Sequence, residues 1–268
     1  MSKLQHLIEP ESLSAQLGES NILIIDLCND GLYTQKHIPG AIHLSPKSLL
    51  AGSFPIPNKL PSIEQITEIM NSIGLTEEKH VIAYDDEGGG WAGRFLWTLD
   101  VIGHKNWSYL NGGLIAWHNE GYPVTPDKPL VSPVQRTFSI NRTPMIDIRE
   151  LMTLLGDQDL QIWDARSEAE FNGTTVYTEK AGHIPGAINC DWTKMMDFKR
   201  NQRIHIDALV KLENLGISAN KATVTHCQSH HRSGFTYMLG RILGFTNIRA
   251  YDGSWAEWGN HPETLVEK

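Results

Sequence analysis

A single cysteine lies among basic and polar residues in the last quarter of the chain. Residues 227–234 read Cys-Gln-Ser-His-His-Arg-Ser-Gly, after a strand-like run at 222–225 and before a helix-like run at 235–243. A cysteine between a strand and a helix faces the free N–H groups of the first helical turn, and these groups and the helix dipole favour an anion. Together with the neighbouring arginine and histidines, this placement predicts that Cys227 is a thiolate nucleophile.

The residues after Cys227 are predicted to form a loop around its sulfur. Arg232 would close the loop or hold an anionic substrate, and a purely structural clamp is the alternative. Ser233, at the helix start, could add a hydroxyl donor. His230 and His231 would tune the sulfur or attract anions, or else pack in an exposed loop; adjacent histidines on a tight turn rarely converge on one metal ion. The candidate site residues, with no metal among the expectations, are Cys227, Gln228, Ser229, His230, His231 and Arg232.

Two copies of one unit supply the elements that position this loop. Residues 84–117 align without a gap with residues 225–258, at a constant offset of 141. In that alignment Gly93 corresponds to Gly234. Two long matching halves indicate a duplication and not a solenoid, whose repeats are much shorter.

Each copy alternates short apolar strands with helices. In the first copy, residues 22–25, 81–84 and 107–110 are predicted to be buried strands, and Ser62 begins a capping box for a helix that Gly74 ends. This alternation predicts an α/β fold with two domains, each a doubly wound, mainly parallel sheet with helices on both faces. The predicted limits of the first domain, a proline-rich linker and the second domain are 1–121, 122–143 and 144–268.

The first copy of the loop lacks the reactive groups. At the position of Cys227 it carries Asp86, and at the position of Arg232 it carries Trp91. A carboxylate suits a helix N-terminus as well as a thiolate does, but it does not readily attack sulfur. The first domain is therefore predicted to keep the fold without the chemistry, and the second domain to be catalytic.

Composition excludes several classes of protein. The chain has 268 residues, 40% hydrophobic and 20% charged, and its net charge of −8 argues against a nucleic-acid surface. No apolar stretch approaches the roughly 18 residues of a membrane span, and the N-terminus has no signal-peptide core. Three cysteines without a Cys-x-x-Cys pair predict neither a zinc knuckle nor a disulfide framework. We therefore expect a cytoplasmic protein.

These motifs in combination resemble the rhodanese family. The shared elements are His-Ile-Pro-Gly-Ala at 37–41 and 183–187, the strand–Cys–loop–Arg–helix segment at 222–243, and Asn-Gly-Gly or Asp-Gly-Ser before a tryptophan at 111–117 and 252–258. The resemblance extends over nearly the whole chain and is strongest to bacterial tandem members with a Cys-Gln-x-His-His-Arg loop.

The resemblance implies a sulfurtransferase that needs no cofactor beyond a covalent cysteine persulfide. Cys227 would carry the persulfide, residues 228–232 would surround it, and the C-terminal domain would be the catalytic one. A sulfane sulfur would pass from a small anionic donor such as thiosulfate to cyanide, a thiol or a sulfur-accepting protein.

Several residues depart from the family pattern. Gln228 stands where typical thiosulfate sulfurtransferases carry a basic residue, the Gly-Ser-Gly-rich loop of 3-mercaptopyruvate sulfurtransferases is absent, and Glu170 stands where an arginine is usual. These departures leave the physiological donor and acceptor open; of the two family donors, thiosulfate is the first expectation and 3-mercaptopyruvate the second. Arg166 is predicted either to form an internal salt bridge or to anchor substrate. Trp192 is predicted either to wall the pocket or to pack in the core.

Two other functions fit a reactive cysteine loop. A phosphatase or arsenate reductase also closes its cysteine loop with arginine, but those loops place one residue more between the two than the four found here. A non-enzymatic sulfur carrier or partner-binding module would store a persulfide without turnover. No resolving cysteine is near Cys227 in the sequence, so sulfur would leave to an external acceptor in either case.

Overall fold

The computed structural model describes residues 6–268, and its helices and strands fall into two similar halves. In the first half, the strands and helices are β1 (Leu7–Ile8), α1 (Pro10–Ser14), β2 (Ile22–Asp26), α2 (Asp30–Gln35), β3 (Ile42–His43), β4 (Ala51–Ser53), β5 (Ile56–Lys59), α3 (Ile63–Ser72), β6 (His80–Tyr84), α4 (Gly90–Val101), β7 (Trp107–Leu110) and α5 (Gly113–Asn119). In the second half, they are α6 (Ile148–Leu154), β8 (Leu160–Asp164), α7 (Glu168–Phe171), β9 (Ala187–Asn189), β10 (Met196–Asp197), β11 (Arg203–Ile204), α8 (Ala208–Asn214), β12 (Ala222–His226), α9 (Arg232–Ile242), β13 (Ile248–Ala250) and α10 (Ser254–Trp258). Short 3-10 helices lie at Pro46–Leu49, Trp192–Met195 and Phe198–Arg200.

Each half contains one parallel sheet, and the order of four strands is the same in both, with β1 as a fifth strand at the edge of the first sheet. The first sheet runs β1-β7-β6-β2-β3 and the second runs β13-β12-β8-β9, with every neighbouring pair parallel. Because β6 corresponds to β12, the loop after each central strand occupies an equivalent place in the two halves. The segment 126–142 between the halves contains neither helix nor strand. The predicted α/β fold class is confirmed.

Alternate residues of the central strands pack on opposite faces of each sheet. In β6, Val81 and Ala83 belong to a core with α3 and α4, whereas Ile82 and Tyr84 belong to a core with α1 and α5. The second sheet is covered by α8 and α9 on one face and by α6 and α10 on the other. The core that contains α4 and α9 is continuous through both halves.

The capping signals of α3 are present as the sequence predicts. The Ser62 hydroxyl accepts a hydrogen bond from the backbone N–H of Gln65, and the Gln65 side-chain oxygen accepts one from the backbone N–H of Ser62. Gly74 takes a positive φ of 74° after the helix. No helix among residues 6–268 combines the length and apolar character needed to cross a lipid bilayer.

The two halves meet where α4 and α9 pack against each other through glycine. A Cβ atom on Gly93 would lie 2.4 Å from the carbonyl oxygen of Gly234, and one on Gly234 would lie 2.6 Å from the backbone N of Arg94. Because Gly93 and Gly234 occupy corresponding positions in the duplication, each half presents a stretch of helix backbone without a Cβ atom to the other. The absence of Cβ atoms therefore sets how closely the two loops approach.

Each half also extends a small hairpin onto the other. The hairpin β4–β5 is followed by Leu60, whose N–H donates to Asp252 Oδ2 at 2.9 Å. In the reverse direction, the N–H of Ile204 in the hairpin β10–β11 donates to Asn111 Oδ1, also at 2.9 Å. Asn111 and Asp252 correspond in the duplication, so the interface is close to symmetric. These exchanged contacts hold each hairpin against the segment that follows β7 or β13 in the other half.

We expect Gly93→Ala to lower the free energy of unfolding by about 1 to 3 kcal/mol, because the new methyl group has no space at the contact between α4 and α9. Urea unfolding of the full chain measures this. The matched control is Gly31→Ala in α2, where the nearest atom to a Cβ is Asn29 Oδ1 at an ordinary 3.4 Å. Gly31→Ala should leave the free energy of unfolding unchanged or raise it by up to about 1 kcal/mol. Equal effects of the two substitutions would contradict this account of the interface.

Candidate active site

Cys227 lies at the carboxyl end of β12, in a loop whose two ends are held by one hydroxyl group. The Oγ of Ser254, at the start of α10, accepts hydrogen bonds from the N–H of Cys227 at 3.3 Å and from the N–H of His230 at 3.1 Å. It donates in turn to the carbonyl oxygen of Tyr251 at 2.9 Å. The loop is thereby bent around the Cys227 side chain, which is only 1% exposed.

The Cys227 sulfur receives several hydrogen bonds that favour the thiolate. The Ser233 hydroxyl donates to Sγ at 3.4 Å, and the backbone N–H groups of Ser229 and Ser233 add to it. Burial alone would raise the pKa of the Cys227 thiol, but the charge of Arg232 and these hydrogen bonds outweigh it and lower that pKa below its usual value. The predicted hydroxyl donor and the predicted anion-favouring helix start are both present.

The other two cysteines have the opposite character. Cys28 and Cys190 are fully buried and unpaired. Burial raises the pKa of Cys190 to about 11, and burial together with the charge of Asp26 raises the pKa of Cys28 much further. Both thiols remain protonated at neutral pH, which fits a packing role for each. Among the three cysteines, Cys227 alone has the ionisation of a nucleophile.

Arg232 closes the loop through a carboxylate from the same half. It is the first residue of α9, three positions earlier than the sequence predicts for that helix, and it forms a two-pronged ion pair with Glu170 of α7. The distances are 2.6 Å from Nη1 to Oε2 and 2.8 Å from Nη2 to Oε1. The departure at Glu170 thus has a structural reason, since that carboxylate holds Arg232. Arg232 therefore both closes the loop through Glu170 and stabilises the Cys227 thiolate by its charge.

The three histidines near Cys227 point to three different partners. His226 is buried on the far side of the strand, with Nε2 3.5 Å from Asp164 Oδ2, as strand alternation predicts. His231 is partly exposed at the mouth of the site, the opening of the loop around Cys227. There it pairs with Glu87 of the first half and lies 4.4 Å from the Trp91 ring. Since the three rings diverge, they do not form a metal-ligand set.

The structure contradicts one of the two roles predicted for His230, which was packing in an exposed loop. His230 is fully buried. Its backbone has a positive φ of 55°, and its Nδ1 lies 2.8 Å from Ser233 Oγ. The turn that hides this ring has no signature in the sequence, where a histidine in a polar loop reads as exposed.

Arg166 forms an internal salt bridge, which is one of its two predicted roles. Its side chain is 1% exposed, its Nη2 lies 2.6 Å from Asp164 Oδ2 and donates to the Gly182 carbonyl at 2.9 Å. The guanidinium group also stacks 4.3 Å from the Trp255 ring. These contacts use the group inside the second half. They favour the salt-bridge role over that of a substrate anchor.

Trp192 does lie beside the mouth of the site. It is partly exposed, and its ring meets His231 at 5.5 Å and Phe235 at 5.8 Å, both edge-on. Gln228 and Ser229 are also partly exposed in the loop. The predicted residues of the loop and Trp192 therefore come together around Cys227, whereas Arg166 does not join them.

The first half contributes residues that the sequence did not predict. Asn58 of β5 donates to the Ser229 hydroxyl at 3.1 Å, and the neighbouring Lys59 pairs with Asp252 at 2.6 Å. Gly90 leaves space for the His231 ring, because a Cβ there would lie 2.4 Å from its Nε2. No motif links these residues to Cys227. Only the occurrence of a hairpin at similar positions in the two halves could have indicated that the first half reaches the Cys227 loop.

The duplicate loop is built around a different carboxylate from the one predicted. Asp86 occupies the position of Cys227 but is partly exposed, and it accepts a hydrogen bond from Asn29. The neighbouring Asp85 is buried and accepts from the N–H groups of Gly89 at 2.8 Å and Ala92 at 3.0 Å. Asp85 therefore satisfies the helix start in this half.

Comparison with known proteins identifies the fold and its relatives. A family model described as a rhodanese-like domain matches residues 9–120 and again residues 147–261. The chain belongs to the rhodanese family. This rhodanese is similar in structure to the protein described as YnjE, with a TM-score of 0.86, 24% identity and coverage of 98% of this chain and 68% of that chain.

The sequence relatives of this rhodanese are sulfurtransferases. It is 45% identical to the thiosulfate sulfurtransferase of Azotobacter vinelandii over 266 residues, 99% of this chain and 98% of the relative. The thiosulfate sulfurtransferase of Pseudomonas aeruginosa is 44% identical with the same coverage. A 3-mercaptopyruvate sulfurtransferase of Escherichia coli is 28% identical over 88% of this chain and 84% of its own. The predicted sulfurtransferase activity is confirmed.

We expect the rhodanese to show one thiol that titrates below the pKa of about 8.5 of free cysteine. The ultraviolet absorbance of the thiolate, followed against pH, measures it, and Cys227→Ser should remove the transition. Ser233→Ala should raise the midpoint by about one unit, because a hydrogen bond to a charged sulfur is lost. Cys190→Ala should leave the transition in place. A Cys227 midpoint at or above that of free cysteine would contradict this description of the site.

Proposed function

We propose that this rhodanese is a thiosulfate sulfurtransferase that carries sulfur as a persulfide on Cys227. The observation that carries the proposal is the set of donors around the sulfur, from the Ser233 hydroxyl and the loop N–H groups, together with the charge of Arg232. Such a set stabilises a sulfur anion before and after an extra sulfur atom is attached. The names of the similar proteins support thiosulfate as the donor.

In the first half-reaction, the Cys227 thiolate attacks the outer sulfur of thiosulfate. The new bond joins Sγ to that sulfur, the sulfur–sulfur bond of thiosulfate breaks, and sulfite leaves with its electron pair. The pKa of Cys227 is lowered, so the attacking anion persists to a lower pH than for an ordinary cysteine. Below that pKa the rate should fall, because the thiol must first lose its proton.

In the second half-reaction, an acceptor removes the terminal sulfur. Cyanide or a thiolate attacks that atom, the bond to Sγ breaks, and Cys227 regains the thiolate that the loop stabilises. Because donor and acceptor react in separate steps, the kinetics are ping-pong. Cys28 and Cys190 are buried and protonated, so neither resolves the persulfide. The cycle requires no cofactor other than the covalent intermediate.

The arginines favour thiosulfate over 3-mercaptopyruvate as donor. A 2-oxo acid needs a partner for its carboxylate, commonly an arginine with a free edge. Here Arg166 is engaged by Asp164, and Arg232 is engaged on both terminal nitrogens by Glu170. Arg166 is also buried, and the carboxylate of Glu170 already compensates the charge of Arg232, which disfavours a second carboxylate at that arginine.

We further propose that the two halves divide the work. The second domain, residues 144–268, performs the transfer, while residues 1–121 form a domain without its own chemistry, joined through 122–143. A sulfur carrier protein of Thermus thermophilus, TtuD, is 28% identical over 269 residues. It supports a protein thiol as an additional acceptor. The three unpaired cysteines support a reducing, cytoplasmic location.

The persulfide is tested by intact mass spectrometry of the full chain after exposure to thiosulfate. We expect an added mass of one sulfur atom, lost on treatment with cyanide and absent in Cys227→Ser. Repeated turnover with both substrates identifies an enzyme, whereas a single stoichiometric transfer would identify a carrier. Hydrolysis of p-nitrophenyl phosphate that depends on Cys227, without any bound sulfur, would contradict the proposal and favour a phosphatase.

The division of labour is tested by Asp86→Asn. This carboxylate is partly exposed and lies outside the set of donors at Cys227, so we expect kcat/KM with thiosulfate to stay within about twofold of the unchanged chain. The matched substitution at the corresponding position, Cys227→Ser, should abolish transfer. Loss of activity in Asp86→Asn with an unchanged unfolding curve would show that the first loop takes part in the reaction.

A further inference from the structure

Arg94 is a buried cation that the proposed mechanism does not use. It lies on α4 in the first half, directly after the glycine contact with α9, and is fully buried. Its Nη2 donates to the Leu49 carbonyl at 3.1 Å, while Nε and Nη1 have no partner among the described residues. Leaving two such donors unpaired in a protein interior is costly, so their presence calls for a reason.

The guanidinium group lies beside the catalytic loop of the second half. It stacks over the Trp97 ring at 4.8 Å, and the His230 ring meets the same tryptophan edge-on at 4.4 Å. Burial and the charge of Arg94 hold the pKa of His230 well below its usual value. Burial also lowers the pKa of Arg94 to about 10, against the opposing charges of Asp252 and Cys227. Arg94 thus remains charged at neutral pH, and His230 remains neutral.

The hydrogen bonds of Ser233 determine which nitrogen of His230 carries the proton. The Ser233 hydroxyl has one hydrogen, and it donates this to Cys227 Sγ at 3.4 Å. The contact of 2.8 Å between Ser233 Oγ and His230 Nδ1 then requires Nδ1 to be the donor. His230 Nε2 is left with a lone pair, buried and without a partner among the described residues. A nearby positive charge favours that tautomer.

The duplication provides an internal comparison for this arrangement. At the position of Arg94 the second half carries Phe235, which lies against Gly89, the counterpart of His230. Ser233 corresponds to Ala92. Every polar member of the chain from Arg94 to Cys227 is therefore replaced where no sulfur anion is held.

Resting on the proposed role of Cys227, we propose that Arg94 of the first half is a positioning residue for sulfur transfer. It keeps His230 neutral with its hydrogen on Nδ1, and His230 thereby directs the Ser233 hydroxyl at the Cys227 sulfur. The domain without its own chemistry supplies one charge of the active site. Neither half alone contains the complete arrangement.

The first test measures the protonation state and tautomer of His230 in the unaltered full chain. Nuclear magnetic resonance of the imidazole nitrogens near pH 7, with the signal assigned by its loss in His230→Gln, should show a neutral ring with hydrogen on Nδ1. A protonated ring, or hydrogen on Nε2, would overturn the proposal. This measurement needs no substitution at Arg94, so it stands even if such variants fail to fold.

The second test is the thiolate titration of Cys227 in Arg94→Gln. We expect its midpoint to rise by roughly one pH unit and the first half-reaction to slow roughly tenfold below that midpoint, with recovery at higher pH. Arg94→Lys, which keeps the charge, should restore the midpoint. The matched control is Arg241→Gln, an interface arginine of α9 paired with Asp100 of α4, which should leave the midpoint unchanged.

A folded Arg94→Gln with an unchanged midpoint, and activity lowered equally at every pH, would overturn the proposal and leave Arg94 a packing residue. The titration uses the resting thiol and does not depend on thiosulfate. Failure of the chain to form a persulfide would therefore count against the proposed function, without affecting the result for Arg94.

Discussion

The close contact between Gly93 of α4 and Gly234 of α9 is the constraint on which the rest of the structure depends. With no Cβ atom on either side, the two helices meet backbone to backbone, and the loops that precede them lie side by side. That proximity allows His231 to occupy the space above Gly90 and allows Arg94 to lie under the catalytic loop. A wider separation would leave the second domain with its cysteine but without these neighbours.

The cations at the opening of the Cys227 loop are arranged in compensated pairs. Arg232 faces Glu170, and His231 faces Glu87, so each cation near the mouth already has a carboxylate partner. The Cys227 thiolate is stabilised by the charge of Arg232 and by short-range donors from the Ser233 hydroxyl and the loop backbone. Fixed donors of this kind need little rearrangement when the thiolate becomes a persulfide. In the proposed mechanism, the site therefore suits a small sulfur anion that remains in one place.

The sequence predicted local features of this protein well and its long-range contacts poorly. The strand before Cys227, the capping box at Ser62 and the parallel α/β sheets follow from periodicity and from residues close together in the chain. The burial of His230 and the approach of Asn58 to Ser229 depend on how the halves pack, which no local pattern encodes. In the first loop, Asp85 and not Asp86 accepts the N–H groups of the helix start, and the residue types alone do not distinguish the two aspartates.

The account centres on a sulfur anion held by a loop that both halves complete. The most direct measurement is a crystal structure of the full chain after reaction with thiosulfate. It should show one additional sulfur bonded to Cys227 Sγ, within hydrogen-bonding distance of the loop N–H groups, with Arg232 still paired to Glu170 and Asp86 unchanged. A donor anion bound elsewhere, with Cys227 unmodified, would contradict the account.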